Sequence, residues 1–132
     1  MPRDLTDEDY QRLLELRTGL RRFLRWSEEQ AAAAGLTSAQ HQLLLAIRGH
    51  QNPDGPTIGD VAGYLLLRHH SAVGLIDRAV RAGLVMRQED ANDRRVVRLR
   101  LTSLGMDILS LLAATHLEEL ERLAPRIREL WP

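Results

Sequence analysis

The sequence has no cysteine and no lysine among its 132 residues, and few aromatic rings: two Trp, two Tyr and one Phe. Without thiols, a disulfide scaffold, a thiolate zinc site and a cysteine-based redox switch are all excluded. No apolar run approaches the roughly 20 residues that cross a bilayer, and the opening MPRDLTDEDY is too acidic and polar for a signal peptide. The expectation is a soluble cytoplasmic protein with no membrane partner. With so few rings, the core has to be assembled from Leu, Ala, Val and Ile. All 18 basic residues are Arg, which points to a GC-rich bacterial genome. A chain of this length buries one core without needing a structural metal.

The formal net charge is zero, yet the charge is unevenly placed. Residues 1–67 carry seven Arg and nine acids, residues 68–100 carry eight Arg and four acids, and residues 101–132 carry three Arg and five acids. A basic centre between acidic arms suits a surface that meets an anionic partner. On charge alone, an ordinary solvated face fits equally well.

Periodicity gives the element order. Leu13, Leu16, Leu20 and Phe23, widened by Leu14 and Leu24, form the apolar stripe of a long helix over Tyr10–Gln30 that ends near Gly35. Thr37 and Gln40 form a capping box that opens a second helix, with Leu43, Leu44 and Ile47 facing inward. After the turn GHQNPDGP, Thr57 and Asp60 cap a short third helix carrying Ile58, Val61, Ala62 and Leu65. A fourth helix runs from His69 to Ala82, with Val73, Leu75, Ile76 and Val80 apolar, and Gly83 stops it.

The period then changes to two. Leu84–Glu89 and Val96–Leu101 read as strands joined by the polar turn 90–95, a hairpin with a charged tip. Thr102 caps a last long helix bearing Leu104, Ile108, Leu109, Leu111, Leu112, Thr115, Leu120 and Leu123. Pro125 is expected to break it, leaving a short terminal helix to Leu130. The fold class is mainly α (α+β): a winged helix-turn-helix with long N- and C-terminal helices. Its parts are residues 1–35, 36–102 and 103–132 of a single domain.

Four local matches, in order, resemble the MarR family of bacterial transcription regulators. They are Leu36-Thr37-x-x-Gln40; Leu75-Ile76-Asp77-Arg78; Gly83-Leu84-Val85 with Arg87; and Asp93-Arg94-Arg95 followed by Leu101-Thr102-x-x-Gly105. Each tetrad is weak alone; their joint order over residues 36–105 is specific, and the flanking helices extend the likeness to nearly the whole chain. The resemblance implies an obligate homodimer built from the terminal helices, with Leu13, Leu16, Leu20, Leu112, Leu120 and Leu123 as dimerisation residues. It implies binding of double-stranded DNA at a pseudo-palindromic operator. It further implies a repressor whose affinity is changed by a small aromatic or phenolic effector. The stretch beyond Pro125 is short for the family, so a smaller contribution of the last helix to the dimer is expected.

Helix four would read the major groove, which accepts an α-helix. Arg68, His69, His70 and Ser71 lead it, with Gly74 and Arg78 on the same broad face. Arg68 suits guanine or a phosphate, the histidines and Ser71 can reach base edges or phosphates, and Gly74 permits close backbone approach. The family usually has Ser or Thr at the position of Arg68, where it caps the helix; Arg68 cannot cap in that way. By the resemblance, Arg94 or Arg95 enters the minor groove, and Asp93 pairs with an Arg to shape the turn. Arg98 and Arg100 line a phosphate path, or else form a solvated strand face. Arg78 could instead pair with Asp77 or with the wing, and His69 and His70 could simply be solvated.

His41, His50 and His116 match no metal-ligand spacing and read as structural, so neither a metal nor a cofactor is expected. Trp26 and Trp131 suit dimer anchors better than effector-pocket walls. No phosphate loop, nucleophile elbow or HExxH pattern is present, so enzymatic activity has nothing to rest on. The competing class is a winged-helix protein–protein module whose basic centre is incidental.

Overall fold

The computed structural model describes residues 3–131. The elements follow in the order α1 (Asp7–Ala33), α2 (Ser38–Gly49), α3 (Ile58–Leu65), α4 (His69–Arg81), β1 (Val85–Glu89), β2 (Val97–Leu101) and α5 (Ser103–Leu130). The mainly α (α+β) winged-helix architecture expected from the sequence is the one observed. Both capping boxes are present: Thr37 Oγ1 accepts from Gln40 N while Gln40 Oε1 accepts from Thr37 N, and Thr57 and Asp60 do the same. A third box, Thr6 with Asp9, starts α1 at Asp7, three residues before the apolar stripe announces it.

The core sits where all the elements converge. Ala31 of α1, Leu43, Leu44 and Ile47 of α2, Val61 of α3, and Leu75, Ile76 and Ala79 of α4 close on Val85, Leu99, Leu109 and Leu112. The two strands pair antiparallel, from Val85 opposite Leu101 to Glu89 opposite Val97. The segment before α3 extends this ribbon on its outer side: Leu99 N donates to Pro56 O at 2.9 Å, and Thr57 bridges to Arg98. The hairpin is thereby docked on the helical unit.

Two sequence expectations are corrected. Pro125 does not break α5, which runs unbroken to Leu130. The missing N–H costs one backbone bond, but the turn beyond is tied to α1. Arg126 pairs with Glu15, Arg12 donates to Leu130 O at 2.8 and 3.1 Å, and the Arg12 guanidinium lies 5.0 Å over the Trp131 ring. Leu112 is not a surface dimerisation residue, because it is only 5% exposed and packs into the chain's own core. Leu13, Leu20 and Leu120 stand exposed, whereas Leu16 and Leu123 are half-buried in the groove between α1 and α5.

Leu66 ends α3 in the left-handed region at φ 55°, with its side chain 91% exposed. An L-residue with a Cβ pays about 1–2 kcal/mol there, and Leu66 recovers little by burial. Leu66→Gly is therefore expected to raise stability by about 0.5–1 kcal/mol, after allowing for the greater unfolded-state freedom of glycine. Urea denaturation checks this; a loss of stability would show that the turn relies on the leucine.

Candidate nucleic-acid interface

The leading residues of α4 are in the open. Arg68, His69, His70 and Ser71 are all exposed, and none of them hydrogen-bonds a side chain among the described residues. Arg68 occupies the N-cap with extended backbone and supplies no side-chain cap, so the first amides of α4 remain available to an outside acceptor. The opposite face of α4 is fixed by Ala72, Leu75, Ile76 and Ala79 in the core. Gly74 is half-buried, and a Cβ placed there would come within 3.3 Å of Arg78 Nη1, so Arg78 lies back over its own helix. Arg78 is not paired with Asp77, which instead takes an ion pair from Arg87 of β1. That pair links α4 to the hairpin.

The tip of the hairpin is built from carboxylates that organise backbone amides. Asp90 Oδ2 accepts from the amides of Asn92 and Asp93, both at 3.0 Å. Asp93 then holds Arg95: its Oδ1 accepts from Arg95 N and Nε, and its Oδ2 from Arg95 Nη2, at 3.0–3.1 Å. The Arg95 hydrogen bonds hold the Asp93 carboxyl below the usual carboxylate range. Arg94 is exposed and has no ionic partner among the described residues.

Arg98 takes a different place from the phosphate path expected for it. Its Nε donates to Asp90 Oδ1 at 3.0 Å and its Nη1 to Gly55 O at 3.1 Å, with the side chain only 20% exposed. The same bond is the largest cause lowering the Asp90 pKa. Arg98 thus braces the tip of the hairpin against the loop before α3. Arg100 donates to Gln88 Oε1 across the ribbon and remains partly open beside Asp54.

The other singled-out residues lie away from this surface. His50 Nδ1 and the Tyr64 hydroxyl are 2.7 Å apart, linking the end of α2 to α3. His41 and His116 meet at the junction of α1, α2 and α5, where Trp26 stacks on the His116 ring at 4.8 Å. Trp26 and Trp131 therefore both have partners within their own chain. Among the described residues no cluster of three His, Asp or Glu is arranged to hold a metal ion, and no helix is long and apolar enough to cross a membrane.

Comparison with known proteins agrees with this arrangement. The sequence model described as the MarR family matches residues 34–96, from just after α1 through the wing tip. Over these residues the chain is similar to the MarR family. A curated member, the transcriptional activatory protein BadR of Rhodopseudomonas palustris, is 35% identical over 81 residues, or 61% of this chain and 46% of that protein. The chain thus spans about half the length of that curated relative. The S. aureus MepR–DNA complex superposes with a TM-score of 0.71 at 21% identity, covering 93% of this chain and 85% of MepR. AbsC of Streptomyces coelicolor, a MarR family transcriptional regulator, gives a TM-score of 0.70 at 25% identity, covering 92% and 81%. Within this fold, sequence reasoning named α4 and the wing but missed the Asp77–Arg87 link and the Gly55 docking site. The first carried a local signal, a basic residue in the strand facing an acid in the helix before it. The second depended on a contact across 43 residues, which no local pattern reports.

Proposed function

We propose that this chain is a MarR-family transcription regulator that binds double-stranded DNA at a pseudo-palindromic operator as a homodimer. The supporting observation is the division of labour at the wing tip, where Asp93 engages Arg95 and leaves Arg94 as the uncommitted cation. In this reading α4 presents Arg68, His69, His70 and Ser71 to the major groove, with Gly74 and Arg78 farther along, while Arg94 enters the minor groove. Arg95 and Asp93 shape the tip, and Arg98 holds its angle. The exposed leucines of α1 and α5, Leu13, Leu20 and Leu120 among them, cover one another between two copies.

A small aromatic or phenolic acid is the effector we assign. An open cleft of about 660 Å³ between α1 and α5 offers Phe23 and Trp26 for a ring and Arg22 for an acid group, with Arg122 and Arg126 alongside in ion pairs to Glu119 and Glu15. Repression follows from the family resemblance, in which the effector lowers DNA affinity; the matched relative BadR is by its name an activator. The reading is non-enzymatic, as the likeness to transcription regulators supports.

The test is duplex binding as a function of salt. Neutralising several phosphates releases counterions, so affinity is expected to fall steeply between about 50 and 200 mM salt. Arg94→Ala should weaken binding about tenfold across sequences and flatten the salt slope by about one unit. Flat, weak binding throughout would favour the protein–protein module instead.

A further inference from the structure

At the junction of three helices lies a pair of imidazoles in contact, their planes tilted by 56°, away from the exposed face of α4 and the wing. His41, in the first turns of α2, is 7% exposed. Its ring lies 4.8 Å from that of His116 on α5. His116 is held on both nitrogens: Nδ1 lies 2.7 Å from Leu112 O and Nε2 lies 2.7 Å from Ser27 Oγ of α1. A carbonyl only accepts, so Nδ1 carries the proton and the neutral ring takes the Ser27 hydroxyl at Nε2. Trp26 and Phe23 of α1 close the other sides of His116, at 4.8 and 6.0 Å.

We propose that the His41–His116 pair is a proton-operated joint between the long helices α1 and α5 and the winged-helix unit that α2 begins. The joint is closed while both rings are neutral and loosens when protons enter. The inference rests on the DNA-binding reading above only for its functional consequence.

A proton on His116 is compatible with its surroundings. The Ser27 hydroxyl turns to accept from Nε2–H, and the Trp26 face receives a cation. His41 is less well placed to hold one, with only an edge open to water. Among the described residues nothing hydrogen-bonds its ring, and the amide end of α2 opposes a positive charge in that turn. Burial first, and the neighbouring His116 second, hold its pKa below the ordinary histidine range. From α1 the pair is faced by Ser27, Trp26 and Phe23, none of them ionised. From α5 it is faced by His116, while Glu119, one turn farther on, is engaged by Arg122. No carboxylate from α3, α4 or β2 is among the groups that act on His41. Two charged rings at this separation repel, and the relief is to part α2 from α1 and α5.

The sign follows from linkage. In the parted state His41 is an ordinary histidine that binds a proton near pH 6.5, while in the closed state it resists. Stability of the closed joint is fully present above about pH 6.5 and is lost as the pH falls below it. At pH 5.5 the parted state gains at most about tenfold in population relative to pH 7.5.

The experiment compares the wild-type chain with His41→Phe, which keeps an aromatic ring and removes the proton site. Hydrogen exchange of the Leu43 and Leu44 amides in α2 is measured at pH 7.5 and 5.5, and the ratio of the two proteins cancels the intrinsic pH dependence of exchange. The expected result is that wild-type opening rises about tenfold relative to His41→Phe at pH 5.5, with Ile76 and Leu99 unchanged. Equal ratios at both pH values overturn the proposal, and so does a rise shared by Ile76 and Leu99, which would mean global unfolding. In parallel, affinity for duplex DNA should fall in wild type relative to His41→Phe at pH 5.5; titration of His69 and His70 is common to both proteins and cancels. Wild type that binds no duplex at pH 7.5 refutes the DNA reading and leaves the exchange measurement to judge the joint. Should His41→Phe not fold, the ring resonances of wild type decide. His41 titrating in the ordinary histidine range overturns the proposal, whereas His41 titrating below it, with the α2 amides shifting in step, supports it.

Discussion

Gly55→Ala is expected to lower the melting temperature by about 10 °C or more, equivalent to at least about 3 kcal/mol for a domain of this size. Gly55 sits at φ +91°, where a Cβ is already strained, and that Cβ would stand 2.1 Å from Leu99 O. The obstacle is backbone of the central wing strand, not the free end of a side chain, so it cannot swing aside. To admit a methyl group, β2 has to leave the 55–57 segment, which breaks the Leu99 N to Pro56 O bond and draws Arg98 away from Gly55 O. Gly49→Ala is the control: no atom lies within 4 Å of a Cβ there, and the substitution should be neutral or slightly stabilising. Thermal melts followed by circular dichroism test the pair. A Gly55→Ala protein that melts with wild type would show that the wing is not docked as described.

The second large effect concerns assembly. Leu20→Asp is expected to weaken dimerisation by at least about a thousandfold, or about 4 kcal/mol, and to abolish operator binding with it. Leu20 is 51% exposed in the single chain, so an aspartate there costs the monomer little. In a two-fold dimer the same residue is buried twice, and each copy introduces an unpaired charge at an apolar contact. Leu16 is a poorer probe because it is half-buried within the single chain, and changing it would disturb the monomer as well. Sedimentation velocity reads the assembly state, and duplex binding reads the consequence. A Leu20→Asp protein that remains dimeric would move the interface off this face of α1.

What the sequence disclosed and what it withheld divide along physical lines. Capping boxes at Thr37 and Thr57, the helix stop at Gly83 and the hairpin at 85–101 are local features, decided within a few residues by hydrogen bonding and backbone sterics. The role of Arg98 was not legible, because alternation along a strand gives the face of a side chain but not the carbonyl that waits there. Leu112 misled for a similar reason: helical periodicity identifies an apolar stripe, and only packing says whether it is covered by the same chain or by another. Pro125 was read by its usual effect, and three contacts to α1 from the last turn offset that effect. The Asp93-Arg94-Arg95 tip was legible as a unit, while the choice between the two arginines needed the hydrogen bonds of Asp93.

Gly105 lies against the backbone of Leu84, where an added Cβ would sit 2.2 Å from the carbonyl oxygen. Thr102 clamps the same spot, donating its hydroxyl to Gly83 O at 2.6 Å and its amide to Leu84 O at 3.0 Å. The root of the last helix and the root of the hairpin are consequently welded, with no slack for one to rotate without the other. A rod of 28 residues is about 42 Å long, so a tilt of about 5° pivoting on this weld carries its far end by about 4 Å. Displacement at the far end of the rod is therefore geared down at the root and delivered to the arginine-bearing ribbon as a change of attitude, which makes the set of the ribbon a direct reading of how the long helix is held.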